Sequence, residues 1–130
     1  MVSPNVKNAI DVLAGADFTQ LTRPGVTSRQ LVWPGNSPNA RVTVTRVTVA
    51  PGGEQPRHAH ANAEQTWIIE QGRAELLLAD DRSRLVEAGE VVRTPAGQIH
   101  GLRNTGSAPF VYLAITTPPV DFRPAYKEAH

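Results

Sequence analysis

The chain contains no cysteine, which excludes a disulfide framework, a thiolate metal ligand and a cysteine nucleophile. No apolar run approaches the length a helix needs to cross a bilayer. Its first residues lack the charged head and apolar stretch of a secretory signal. A cytoplasmic location is the resulting expectation. Net charge is only +1 and the arginines are scattered, so there is no basic stripe for nucleic acid. Glycine-rich phosphate loops, paired catalytic carboxylates and Ser/His/Asp arrangements are also missing. No nucleic-acid or membrane partner is expected.

What is present describes one ordinary domain. At 130 residues, with 40% apolar and 19% charged residues, the chain can bury a real core. Residues 5–13 read as a short helix, because Asn5 can cap it and Val6, Ile10 and Leu13 fall near one face. Residues 1–40 are therefore expected to form an N-terminal helix and cover segment. From residue 41 the chain turns β-branched and alternating, which predicts a strand over 41–49. Further strands are predicted at 66–70, 74–78, 85–87, 91–94 and 110–116, separated by turn signals such as Gln71-Gly72, Ala88-Gly89 and Pro95-Ala96-Gly97. Short strands at near-regular spacing predict an all-β sandwich or barrel over 41–117. Pro118, Pro119 and Pro124 predict an irregular tail over 118–130.

Three of the four histidines fall in two short blocks. His58 and His60 are two apart, so on an extended strand both side chains point to one face. His100 sits in a second, turn-bounded block and can complete a three-imidazole face on one ion, a donor set that suits zinc, copper, iron and nickel. His130 ends the chain and reads as a solvated tail.

These blocks resemble the two sequence motifs of the cupin superfamily. Gly89, Pro95, Gly97, His100 and Asn104 fit every fixed position of the second motif, and Gly52, His58, His60 and Gly72 fit the first. The resemblance extends over roughly residues 42–116. It implies a double-stranded β-helix, or jelly-roll, barrel holding one divalent transition metal ion (iron, manganese, nickel, zinc or copper). It also implies a small-molecule substrate, and a homodimer paired through a sheet face. Val42, Val44, Val47 and Val49 change parity along one strand and place apolar residues on both faces, which offers material for such a face.

The carboxylate position of the first motif is irregular. Counting back from Gly72 reaches Gln65, and counting forward from His60 reaches Glu64; adjacent strand residues cannot both face inward. A register with Gln65 inward also turns Trp67 and Ile69 in. The other turns Thr66, Ile68 and Glu70 in and buries a carboxylate. The first buries the better residues and favours His58, His60, Gln65 and His100 as ligands. A neutral amide leaves the ion its full dipositive charge, which favours an anionic substrate. Trp67, Trp33, Arg46, Leu102 and Tyr112 are candidate pocket residues, with Arg103 beside them. Three activities compete: an oxygenase, favoured here; a non-redox lyase, isomerase or cyclase acting on, for example, a sugar acid or a polyketide; and a binding or sensor module.

Overall fold

A computed structural model describes residues 10–127. The regular structure of the described residues is mostly strand: β1 (Thr19–Arg23), β2 (Val26–Val32), β3 (Thr43–Val49), β4 (Glu54–His58), β5 (Glu64–Gln71), β6 (Arg73–Leu77), β7 (Ser83–Glu87), β8 (Val91–Thr94), β9 (His100–Arg103) and β10 (Phe110–Thr117). One short helix, α1 (Arg123–Lys127), follows. The strands form two antiparallel sheets, one in the order β1-β2-β3-β10-β5-β8 and the other β4-β9-β6-β7. This is the expected jelly-roll barrel.

Alternation sets which residues fill it. Along β3 the buried residues are Thr43, Thr45, Val47 and Val49, so Val44, Arg46 and Thr48 point outward. Along β5 they are Gln65, Trp67 and Ile69, with Glu64, Thr66, Ile68 and Glu70 on the other face. The core joins Val47, Val49, Trp67, Ile69, Phe110 and Tyr112 of the larger sheet to Leu76, Val86 and Leu102 of the smaller.

Turn chemistry ties the sheets together. Gly72 adopts φ 87° between β5 and β6, a conformation open to glycine and strained for other residues. Asn104, fully buried, donates through Nδ2 to the carbonyls of Val49 (3.0 Å) and Ala108 (2.9 Å), and its Oδ1 accepts from the Gly106 amide (3.0 Å). Its backbone exchanges hydrogen bonds with Gly52 and Gly53. The last position of the second motif is thus a clamp between the β3–β4 and β9–β10 turns.

Several expectations are corrected at the two ends of the chain. Most of the helix predicted over 5–13 lies outside the described residues, and residues 10–13 are not helical. The 1–40 segment instead supplies the β1–β2 hairpin, which extends the larger sheet beyond β3. Its turn, Pro24-Gly25 with φ 77° at Gly25, is a two-residue signal that the sequence reading passed over. The tail is not wholly irregular, because α1 lies beside β1 and buries Tyr126. The histidine spacing implies strands at the two histidine blocks but sets no limits for β4 and β9, because both are short and Pro56 and Gly101 weaken their local signal.

Candidate metal centre and cavity

The three histidines come together by cross-strand pairing. His58 ends β4 and stands directly opposite His100, the first residue of β9, where a bulge between Gln55 and His58 shifts the register. His60 lies two residues past the end of β4, so the pair does not share one continuous strand as expected. The Gly97 amide donates to the His60 carbonyl (2.9 Å) and holds the turn of the second motif against the first. Ring centroids are 4.9 Å apart for His58 and His60, 4.4 Å for His58 and His100, and 5.3 Å for His60 and His100. One potential ligand atom from each ring lies within 4.8 Å of the other two.

The hydrogen bonds of the rings define which nitrogen is free. His58 Nδ1 is 2.7 Å from the Pro56 carbonyl and His100 Nδ1 is 3.1 Å from the Gln98 carbonyl. A carbonyl only accepts, so each Nδ1 carries the proton and each Nε2 presents a lone pair. Nε2 of His60 and of His100 are buried without any hydrogen-bond partner. Burial pushes the His100 imidazole down to about 4, with smaller contributions from His58 and His60, against the opposing effect of the hydrogen bond it donates to the Gln98 carbonyl. Burial, then His58, lowers His60 as well. Neutral rings with orphaned nitrogens fit a divalent transition ion, which would satisfy both atoms at once.

Gln65 faces the same space, held at both ends. Its Nε2 donates to the Thr116 hydroxyl (2.9 Å), and its Oε1 accepts from the Trp67 indole (2.7 Å). A carbonyl oxygen has a second lone pair, so the indole contact leaves Oε1 able to face an ion. Glu64 lies on the outer face and pairs with Arg93 (2.9 Å).

A cavity of about 350 Å³ opens beside the histidines. Trp67 forms one wall, with its ring centroid 5.7 Å from His100 and 4.3 Å from Tyr112. Tyr112 lines the cavity too; burial, reinforced by Tyr126, pushes its hydroxyl up, so it stays a donor. The other pocket candidates fall elsewhere. Trp33 is buried beneath the Arg123 guanidinium, 4.8 Å from its ring, and Leu102 is a core residue. Arg46 points outward to Glu70 (3.0 Å), and Arg103 bridges Glu54 and Glu75 on the surface. The sequence reading missed Arg23, Gln55, Phe122 and Tyr126, all of which line the cavity. β1 and the C-terminal segment carry no motif, and Gln55 occupies an unspecified position between Gly52 and His58 of the first one, so no local signal marked them.

A double-stranded barrel with a three-histidine cluster beside a cavity defines a known class of protein. The sequence model described as "Cupin domain" matches residues 45–116, more than half of the chain, and this protein belongs to the cupin family. Germin-like protein 5-1 of Oryza sativa subsp. japonica is 34% identical over 106 residues, covering 77% of this chain and 46% of its own length. Oxalate oxidase GF-3.8 of Triticum aestivum is 35% identical over 104 residues, covering 71% and 45%. The chain thus spans about half the length of the curated relatives it matches. Among solved structures, the polyketide cyclase RemF from Streptomyces resistomycificus superposes with a TM-score of 0.69 at 24% identity, covering 84% of this chain and 80% of that one, a likeness of fold. No helix among the described residues is long and apolar enough to cross a membrane.

Proposed function

We propose that this chain is a metal-dependent cupin enzyme that oxidises a small, anionic, chelating molecule, with dioxygen as the electron acceptor. The observation that carries the reading is the pair of buried, unpartnered Nε2 atoms of His60 and His100, facing His58 at the edge of a cavity. His58, His60 and His100 would hold one divalent transition ion, with Gln65 Oε1 as the fourth donor. Such an ion supplies a Lewis-acidic centre and, when it is iron, manganese, nickel or copper, the capacity to engage dioxygen.

The chain's own residues do the rest. The carbonyls of Pro56 and Gln98 fix the tautomers of His58 and His100, as outer partners of metal-binding imidazoles do. Trp67 and Thr116 orient the Gln65 amide. The apolar walls formed by Val47, Trp67, Ala114 and Phe122 limit water around the substrate. The similarity to oxalate oxidase, a protein named for oxidising a small dianion, supports both the reaction type and the substrate class.

A second reading is a non-redox lyase, isomerase or cyclase. The neutral donor Gln65 favours it, because four uncharged ligands leave the ion its full Lewis acidity. A binding module without turnover is the third. Protein loaded separately with iron, manganese, nickel, copper and zinc, then assayed for oxygen uptake over a panel of chelating acids that includes oxalate, decides among them. Oxygen uptake with a redox-active metal and none with zinc is the expected result. Anaerobic turnover by the zinc form, with no oxygen uptake by the others, would transfer the function to the second reading. Ligand-dependent stabilisation without turnover would indicate the third.

A further inference from the structure

Arg23 is the one cationic side chain, apart from the histidines, among the described residues lining the cavity, and no carboxylate lines it. Its Nε is buried and has no hydrogen-bond partner. Its guanidinium carbon sits 5.2 Å from the centroid of the Tyr126 ring, so the head is stacked on an aromatic face rather than paired with an acid. Gln55 Nε2 approaches the Tyr126 hydroxyl at 3.5 Å, and Tyr112, also in the lining, carries a second phenol. The side chain as a whole is half-buried, but its Nε is shut off from water beside neutral donors, and a buried polar atom left unpaired is costly to keep for stability alone. The tight Pro24-Gly25 turn pins its backbone, because a Cβ at Gly25 would stand only 2.8 Å from Gly53 Cα.

The histidine cluster and this polar group are separate places joined by one wall. Trp67 touches His100 on one side and Tyr112 on the other. A ligand lying along the indole therefore reaches both. We propose that Arg23, with the hydroxyls of Tyr112 and Tyr126, is a carboxylate subsite, and that the substrate bears a chelating group at the histidine centre and a second carboxylate at Arg23. A single guanidinium among neutral donors matches one negative charge, which favours a carboxylate over a dianionic phosphate. This deepens the metal-enzyme reading, on which the chelating half of the substrate rests.

The test compares two probes in metal-loaded protein by calorimetry. 2-Oxoglutarate carries a chelating keto acid and a distal carboxylate; 2-oxopentanoate carries the keto acid alone. The wild type is expected to prefer 2-oxoglutarate by about 10- to 100-fold, the range of one charge-assisted contact. In Arg23→Gln that preference should collapse to within about threefold, with 2-oxopentanoate affinity and metal content unchanged. Arg23→Lys, which keeps the charge but loses the planar fork, should fall between. An equal preference in wild type and Arg23→Gln, or none in the wild type, overturns the proposal. Glutarate binding to chelator-stripped protein separates the two readings. If the protein takes up no metal, the metal-enzyme reading fails, while a loss of glutarate binding in Arg23→Gln still supports the subsite. Inorganic phosphate displacing glutarate more strongly than acetate does would overturn the assignment to a carboxylate.

Discussion

The buried imidazole of His100 makes the metal-free protein sensitive to mild acid, by an amount that follows from its environment. In the unfolded chain this ring takes a proton near 6.5; in the fold, burial lowers that to about 4. Between those values the unfolded state binds more protons than the folded state, so stability rises with pH and is lost as pH falls through 6.5. Integrating that difference, the loss from pH 7 to pH 5 is about 2 kcal/mol, levelling near 3 kcal/mol below pH 4. His60 is lowered as well and adds in the same direction. The measurement is urea unfolding of chelator-stripped protein at pH 7 and pH 5, wild type against His100→Gln. A loss of about 2 kcal/mol corresponds to a midpoint shift of about 1 M urea. Other acids and bases contribute to the wild-type slope, but the difference between the two proteins isolates His100. The reasoning is refuted if both proteins lose the same stability, or if the wild type gains stability toward pH 5.

His58→Ala and His100→Ala should each lose most of the one divalent metal expected per chain, measured by elemental analysis after dialysis; full retention in both would refute the ligand assignment. Gln65→Ala should weaken metal affinity while Glu64→Ala, which removes only an outward carboxylate paired with Arg93, leaves it unchanged; the opposite ranking would place the carboxylate on the ion. Asn104→Ala strands the Val49 and Ala108 carbonyls and the Gly106 amide. It should cost about 2–3 kcal/mol and lower the melting temperature by about 10 °C in calorimetry. The outer face of the larger sheet presents Val44, Leu113, Ile115 and Ile68 side by side across three strands. Pairing of two copies through this face predicts a dimer by light scattering at micromolar concentration, and a monomer there would refute it.

The sequence by itself determined the barrel and the meeting of three imidazoles. Spacing did this: turn residues at fixed offsets return His100 to the strand position opposite His58, and such offsets are visible in a single line of residues. It also determined the direction of β5, because Gln65, Trp67 and Ile69 alternate with residues better suited to solvent, and a one-residue slip would bury Glu70. Tertiary structure decided what lies around that centre. Arg23, Phe122 and Tyr126 reach the cavity only because β1 and α1 pack beside each other from opposite ends of the chain. Arg46 and Leu102 looked like pocket residues in the sequence, but one faces out to Glu70 and the other fills the core. Motif spacing is a local constraint and can be read locally. A cavity wall is assembled from segments that share no spacing, and only the folded chain brings them together.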